Sequence, residues 1–209
     1  MSCVTDAIKT RRSIRKYSTR KITKKTLNEI LEAARWAPSA HNAQPWRFSV
    51  LTEASAKKVL AEAMAKAWVK DLIKDDASAE LPEKLPARSV ERFTSAPVIV
   101  VACVTMMEMP KRADDDGQKI ERDLAIQSLG AAIQNMLLKA HSKGLGACWF
   151  CAPIFCKNAV RKALRFPEDF EPQALITMGY PAEKPKAPTR KPFQDIFRSG
   201  YWAEKHSEA

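Results

Sequence analysis

The stretch from Pro97 to Val104 constrains the fold more than any other part of this chain, because it is an almost unbroken run of β-branched and apolar residues. A run of this kind is expected of a strand that is buried on both faces. Such a strand lies in the middle of a sheet, with other layers packed against it. We therefore predict a sheet with this strand at its centre and helices on its flanks.

Two helices are indicated by apolar residues that recur every three or four positions. The longer one runs from Ile120 to His141 with one broad buried face, and Gly144 is expected to provide its C-terminal stop. The other contains Leu27 to Ala34, and Pro38 should end it because the residue before a proline avoids the helical region. Both helices are expected to flank the sheet.

The remaining predicted elements are short. Thr5 is expected to cap a short basic helix, and Ser55 to cap a helix that carries Val59 to Ala67. A further helix is expected near Asn158 to Leu164. Additional strands are predicted at Trp46–Leu51, Ala147–Phe150 and Gln173–Met178.

The order of these elements indicates an α+β fold with a mixed sheet, because helices and strands alternate without the regular spacing of βαβ units. No internal repeat or linker divides the chain, so residues 1–209 are expected to form a single domain. The segment from Asp71 to Phe93 mixes charges with two prolines and shows no sustained period, which predicts an irregular excursion or lid. The proline-rich tail after Gly179 should run extended.

The chain carries a net charge of +11, which favours anionic partners without identifying them. Nine lysines and arginines and no acidic residue lie between Ala7 and Asn28. Hydrophobic residues make up 45% of the chain and charged residues 28%, which excludes a disordered or fibrous protein. The longest apolar run, Ala96 to Met107, is too short to cross a bilayer and Asp6 interrupts the N-terminus, so we expect a cytoplasmic protein.

The five cysteines leave one unpaired in any disulfide scheme, so reduced thiols are expected. Cys148, Cys151 and Cys156 have a C-x2-C-x4-C spacing, which would suit a redox dithiol or part of a cluster site. No fourth ligand follows Cys156 at a sensible spacing, and the surrounding run is apolar. Buried structural thiols and no metal site are therefore the preferred interpretation.

The first candidate site is the segment Arg11-Arg12-Ser13-Ile14-Arg15-Lys16-Tyr17, in which guanidinium groups and hydroxyls crowd near a helix end. Guanidinium groups match the geometry of phosphate oxygens, so the segment suits a phosphate dianion. It is also compatible with a solvated basic face or with a nucleic-acid-binding surface. The segment alone does not decide among these alternatives.

The second candidate site is the loop from Pro38 to Pro45, which places amides and a hydroxyl just before the strand that begins at Trp46. Such groups suit hydrogen bonds to the edges of a flavin ring. Neither His41 nor His141 has an orienting carboxylate that the sequence identifies, so both are expected to be solvated or structural. Trp46 and Trp149 are expected to belong to the core.

Together these motifs resemble the nitroreductase family. The resemblance rests on Arg-Arg-Ser-x-Arg-x-Tyr from Arg11, followed by Ala-Pro-Ser-x-x-Asn-x-Gln-Pro-Trp-x-Phe from Ala37. It continues in Gly-Leu-Gly-Ala-Cys-Trp-Phe-Cys from Gly144, in Gly-Tyr-Pro-Ala from Gly179 and in Arg190 with the lysine after it, and so covers nearly the whole chain. It implies a nitroreductase-like α+β fold with a mixed, mostly antiparallel sheet flanked by helices, in an intertwined homodimer.

The resemblance assigns three groups of residues to the binding of FMN. The group for the phosphate, ribityl chain and pyrimidine edge is Arg11, Arg12, Ser13 and Arg15, with Arg190 closing the phosphate site. The group contributed by the other subunit is Pro38, Ser39, Ala40 and Asn42. The group beside the reactive edge of the ring is Phe150, Cys151 and Ala152. The cysteine is a departure, because family members often carry glycine or another small residue there.

The resemblance also implies an activity. An enzyme of this kind uses FMN and either NADH or NADPH to reduce nitro, quinone or other electron-poor small molecules by a ping-pong mechanism. Because the flavin carries the electrons, no catalytic side chain is expected, and Arg11 or Arg12 would stabilise the charge of the reduced flavin. Neither a nucleic acid nor a membrane is expected as a partner.

Two alternatives remain open. The sequence from Gln134 to Trp149 is similar to nitroreductase-like domains associated with synthesis of the deazaflavin coenzyme F420, which implies an FMN-dependent reductase acting on a deazaflavin or another anionic metabolite. A basic nucleic-acid-binding module that uses the Ala7 to Asn28 cluster would instead bind nucleic acid in a salt-dependent manner and carry no flavin.

Overall fold

The computed structural model describes residues 4–74, 84–197 and 199–200. The strands are β1 (Trp46–Leu51), β2 (Val98–Val104), β3 (Gly146–Phe150) and β4 (Glu171–Gly179). The helices are α1 (Val4–Thr10), α2 (Lys24–Arg35), α3 (Ala54–Lys74), α4 (Lys84–Thr94), α5 (Asp115–Ser142), α6 (Lys157–Ala163) and α7 (Phe193–Ile196). Short 3-10 helices occupy Ala40–Asn42 and Ala152–Cys156.

The four strands form one sheet in the order β1-β2-β4-β3, and every neighbouring pair is antiparallel. β2 is an inner strand, and all seven of its residues are buried, which confirms the prediction made from its composition. The expected mixed character of the sheet is limited, within the described ranges, to an isolated parallel bridge between Ser13 and Ala147.

Two hydrophobic cores lie on opposite faces of the sheet, and β2 contributes to both. Val98, Val100, Ala102 and Val104 belong to the core that includes α2 and α5. Ile99, Val101 and Cys103 belong to the core under α3, α4 and α6, which is completed by buried residues such as Leu60, Phe93 and Val160. The alternation follows from the two-residue period of a strand. It explains why β2 lacks polar residues.

Helix α5 is longer than the apolar periodicity predicted, because its polar first turn is capped by the side chain of Asp114. Its C-terminal stop is at Gly144, as expected, where φ is +74°. The Leu145 amide donates to the Ala140 carbonyl at 3.0 Å, and Leu145 itself is buried, as in a Schellman motif. This turn directs the chain from α5 straight into β3.

The segment from Asp71 to Phe93 is helical over most of its described length, which corrects the prediction of an irregular excursion. Helix α3 continues to Lys74, and α4 begins at Lys84, with Pro86 in its first turn, where proline is tolerated. The two helices pack against each other. The sequence window therefore contains parts of two helices, and the apolar residues of α3 and α4 do not follow one common period across it. Residues 75–83 lie outside the described part.

Three smaller predictions can be compared with the structure. Thr5 and Ser55 are not N-caps, because α1 and α3 already include them and begin at Val4 and Ala54. The tail beyond Gly179 has little regular secondary structure and is largely exposed as far as the short helix α7. None of the helices in the described ranges combines the length and the apolar character that a membrane crossing requires.

Glu171, the first residue of β4, forms ion pairs with side chains of two helices. Its carboxylate accepts hydrogen bonds from Arg122 of α5, with Nε at 2.9 Å, and from the ammonium of Lys157 of α6. The hydrogen bond from Arg122, aided by Lys157, lowers the pKa of Glu171 to about 2, although desolvation works in the opposite direction. The charged form of Glu171 therefore stabilises the folded state.

We predict that Glu171→Gln lowers the free energy of unfolding at pH 7 by about 2–3 kcal/mol, because the stabilised charge is lost. The folded pKa lies below the unfolded one. The contribution is therefore complete above about pH 4.5 and is lost as the pH falls towards 2. Urea denaturation of both proteins across this range should show the difference shrinking at low pH.

The matched control is Glu62→Gln on α3, whose carboxylate pairs with Lys58 at 3.8 Å on an exposed surface. Exposed ion pairs contribute little, so this variant should unfold like the unchanged protein at every pH. An equal loss in both variants would show that Glu171 has no special role.

Candidate functional site

The open edge of β3 is covered by the segment from Arg11 to Ser18. The Ile14 amide donates to the Ala147 carbonyl at 3.1 Å, and Ser13 pairs with the same strand residue. Gly146 is necessary here, because a Cβ at this position would lie 2.6 Å from the Cβ of Ile14. The close approach holds the arginines of the first candidate site against the sheet.

Tyr17 anchors the far end of this segment. Its hydroxyl contacts the Thr177 hydroxyl at 2.7 Å and donates to the carbonyl oxygen of Ile14. Burial raises the pKa of Tyr17 far above its ordinary value, so the side chain remains a neutral donor. The tyrosine of the Arg-Arg-Ser-x-Arg-x-Tyr motif therefore fixes the conformation of the segment through hydrogen bonds on its buried side.

A cavity of about 330 Å³, here called the basic cavity, lies between this segment, the C-terminal end of α5 and the start of the tail. Its cationic lining consists of Arg11, Arg12 and Lys184. The one carboxylate in its lining, Glu183, accepts hydrogen bonds from the backbone amides of Arg15, at 2.5 Å, and of Lys16. The cavity therefore carries an excess of positive charge, which suits an anion such as a phosphate.

His141 also lines the basic cavity. Thr10 donates its hydroxyl hydrogen to the Asp6 carbonyl at 2.6 Å, so its oxygen accepts from Nε2 of His141 at 2.8 Å. Burial, together with the charges of Arg11 and Arg12, lowers the pKa of His141. The imidazole is therefore neutral near pH 7 and adds no charge to the cavity.

Several residues of the first predicted group influence the pKa of the Cys148 thiol. Burial raises its pKa, while the charge of Arg15, a hydrogen bond from Ser13 and the charge of Arg11 act in the opposite direction. The charge of Arg92 on α4 also lowers the pKa of this thiol. Sequence reasoning missed Arg92, because it lies in the segment that was expected to be irregular.

A second cavity, here called the aromatic cavity, lies between α3, α4 and the end of β3, with a volume of about 480 Å³. Phe150 and Ala152, two members of the third predicted group, line it, whereas Cys151 between them is exposed. The remaining lining is mostly apolar and comprises Met64, Trp68, Leu72, Phe93, Phe155 and Cys156, with Asp71, Ser89 and Arg92 as its polar members.

The loop of the second candidate site has a strained backbone. His41, Asn42 and Gln44 have φ values of 55°, 51° and 48°, in the left-handed region that residues other than glycine rarely adopt. The Ser39 hydroxyl accepts from the Gln44 amide at 3.0 Å, and the Ser128 hydroxyl of α5 accepts from the Ala40 amide at 3.1 Å. These hydrogen bonds hold the loop on α5.

Glu121, a buried carboxylate of α5, supports the same loop. It accepts hydrogen bonds from Nε of Arg112 at 2.7 Å and from Nε2 of His41 at 3.0 Å. Desolvation works against its charge, but these hydrogen bonds outweigh it and hold the pKa of Glu121 below its ordinary value. His41 therefore does have an orienting carboxylate, which the sequence did not reveal because the two residues are far apart along the chain.

The structure brings the first and third predicted groups together, but not the second. Thr10, beside the arginines, is hydrogen-bonded to His141 of α5, and Ala40 of the loop is hydrogen-bonded to Ser128 of the same helix. These two points of α5 are about 20 Å apart at the rise of an α-helix. Arg190 lies in the exposed tail and is not among the residues that line the basic cavity.

The four cysteines in the described ranges, Cys103, Cys148, Cys151 and Cys156, are all free thiols. Cys151 precedes and Cys156 ends a 3-10 helix, whose rise separates the two residues by about 10 Å, too far for a disulfide. No group of three or more metal-ligating side chains occurs in the described ranges. Burial raises the pKa of Cys103 to about 12 and that of Cys156 to about 11. Cys103 and Cys148 are buried as expected, whereas Cys151 is exposed and Trp149 is only partly buried.

We predict that Glu121→Gln lowers the thermal unfolding midpoint by several degrees, because Arg112 and His41 lose the charge that pairs with them. The matched control is Glu32→Gln, which removes an exposed carboxylate bonded to Arg35 and should leave the midpoint almost unchanged. Differential scanning calorimetry distinguishes the two. Equal midpoints for both variants would show that the buried carboxylate does not support the loop.

Known proteins with related sequences give this geometry a context. The model of the nitroreductase family matches residues 8–180. A protein of Methanothermobacter thermautotrophicus, provisionally named NADH dehydrogenase/NAD(P)H nitroreductase, is 33% identical over 184 residues, which cover 87% of this chain and 79% of that protein. A Bacillus subtilis protein, provisionally named NAD(P)H nitroreductase YfhC, is 27% identical over 196 residues, covering 94% and 93%.

Solved structures agree with the sequence relatives. A protein of Desulfovibrio desulfuricans, provisionally named a nitroreductase and solved in complex with FMN, is 27% identical with a TM-score of 0.71, covering 97% of this chain and 99% of that one. A BluB-like flavoprotein of Clostridium difficile 630 shares the fold, with a TM-score of 0.79 at 22% identity and coverage of 96% and 100%. On this evidence the chain belongs to the nitroreductase family.

Proposed function

We propose that this chain is an FMN-dependent oxidoreductase that takes electrons from NADH or NADPH and passes them to nitro compounds, quinones or other electron-poor small molecules. The observation that carries the proposal is the basic cavity at the edge of β3, where Arg11 and Arg12 lie beside Ser13 and Arg15. The FMN-bound relative and the NAD(P)H nitroreductase names of the sequence relatives support it.

The side chains of the basic cavity fit the anionic part of FMN. Arg11, Arg12 and Lys184 supply donors for a phosphate, and Glu183 is occupied by backbone amides, so it repels an anion less. Ser13 pairs with Ala147 in the wall of this cavity, and the charge of Arg15 acts on the pKa of the Cys148 thiol, one residue further along β3 towards Phe150. A ligand with a phosphate at one end and a ring at the other would follow this edge.

The chemistry of the reaction is expected to belong to the cofactor. When bound, FMN supplies a ring that accepts and donates hydride equivalents, and the protein supplies binding, orientation and charge. No side chain in the described ranges is arranged as a nucleophile with its base. Donor and acceptor would use one site in turn, in a ping-pong mechanism.

A homodimer would complete the site. Pro38, Ser39, Ala40 and Asn42 lie about 20 Å along α5 from the region of the arginines, so the loop of one chain does not reach the basic cavity of the same chain. A second copy brings its own loop. The exposed tail with Arg190 is suited to reach across such an interface.

The nucleic-acid alternative receives less support. Arg11 and Arg12 are half-buried in the wall of a cavity, and Arg12 donates to the backbone carbonyls of Lys9 and Arg11 at 2.7 and 2.8 Å. A surface that contacts many phosphates of a duplex needs its cations exposed side by side. Arg11 and Arg12 therefore favour a small anion, while the other seven cations of the Ala7 to Asn28 cluster are exposed. The match to the nitroreductase family is the stronger argument against this alternative.

We predict that the purified protein is yellow and retains about one FMN per subunit after desalting, as read from its visible absorption spectrum. Arg15→Ala and Arg190→Ala should each weaken FMN retention by about 1.5–3 kcal/mol, because each removes a charge-assisted hydrogen bond. Titration of the FMN-free variants with FMN measures the loss.

The control is Lys16→Ala, which removes the neighbouring exposed charge, from a residue that does not line the basic cavity. It should retain FMN like the unchanged protein. A colourless protein that refuses added FMN would overturn the proposed function, and unchanged affinity in both arginine variants would overturn their assignment.

A further inference from the structure

The walls of the aromatic cavity are suited to a planar ligand. Phe93 and Phe150 meet edge to face, with ring centroids 5.3 Å apart, and Trp68 and Phe155 are partly or largely exposed at its border. Flat apolar side chains of this kind pack well against aromatic rings. The volume of about 480 Å³ is within the range of small-molecule sites and accommodates one or two rings.

Arg92 gives this apolar cavity a cationic end. Its side chain is exposed and lines the cavity, while the next residue, Phe93, is buried beneath it. In the part of the chain that the structure describes, no carboxylate forms a salt bridge with Arg92. It shares the wall of the cavity with Phe150, the last residue of β3, and its charge lowers the pKa of the Cys148 thiol on that strand.

Asp71 of α3 is the one carboxylate that lines the cavity, and within the described ranges it forms no salt bridge with Arg92. An anion near Asp71 would be repelled, whereas an anion near Arg92 would be attracted. Arg92 is therefore the residue of the cavity that would hold an acidic group.

We propose that the aromatic cavity binds the electron acceptor, that this acceptor is an aromatic compound carrying an acidic group, and that Arg92 selects it through that group. The proposal rests on the proposed function, because Phe150 and Ala152 border the flavin only if the protein binds FMN as proposed. It adds a substrate class and a specificity-determining residue. A guanidinium is suited to this role because it donates two parallel hydrogen bonds to one carboxylate.

The test compares two probes of equal size, 4-nitrobenzoate and its neutral analogue 4-nitrobenzamide. Calorimetric titration of the oxidised protein, as purified and without reductant, measures binding without turnover. The unchanged protein should bind the carboxylate about 10-fold or more tightly than the amide. Arg92→Gln should abolish this preference and leave amide binding within about threefold, because glutamine keeps the helix propensity and much of the volume.

The matched control is Arg88→Gln, which removes the same charge one turn earlier on α4, from a residue that does not line the cavity. It should keep the preference for the carboxylate. Values of kcat/KM for both probes, measured with NADH or NADPH, should show the same pattern, since the differing intrinsic reactivities of the probes cancel when each variant is compared with the unchanged protein.

The outcomes separate this inference from the proposed function. A preference that persists in Arg92→Gln, or the absence of any preference in the unchanged protein, would overturn the role of Arg92. Failure of both probes to bind, with quinone reduction intact, would overturn the inference and leave the proposed function standing. A protein that holds no flavin but shows the Arg92-dependent preference would retain this binding site while the proposed function fails.

Discussion

The contact between Ile14 and Gly146 is the constraint on which the candidate site depends. It brings the Arg11–Tyr17 segment against the last strand of the sheet, where a side chain on residue 146 would leave no room. The basic cavity lies on one side of this contact, and β3 leads from it to the aromatic cavity. One close approach of two backbones thus aligns an anion-binding region with an apolar one.

The parts of the fold that were predictable have local signatures. β2 is buried on both faces and therefore lacks polar residues, and α5 ends at a glycine that adopts a positive φ. In the region of α3 and α4, α4 is itself amphipathic, with Val90 and Phe93 packed into the core. The window from Asp71 to Phe93 combines the end of α3 with α4, so one period does not run through it, and the helical signal of α4 is not recognised there.

The same distinction applies to the site. Arg11, Arg12 and Ser13 were identifiable because they are consecutive in a motif, and the structure gathers them at one edge. Glu121 was not, since a carboxylate on a long helix resembles a solvent-facing residue until Arg112 and His41 are seen to enclose it. Arg92 was missed for a similar reason. Residues whose roles depend on partners distant in sequence require the three-dimensional arrangement.

The spacing of the two candidate groups along α5 has a thermodynamic consequence. If FMN contacts the arginines of one chain and the loop of another, then binding of the cofactor and association of the chains become linked equilibria. Each flavin would stabilise the assembly, and dilution of the protein would weaken its apparent affinity for flavin. Cellular abundance would then influence the fraction of chains that are loaded, without any dedicated regulatory site.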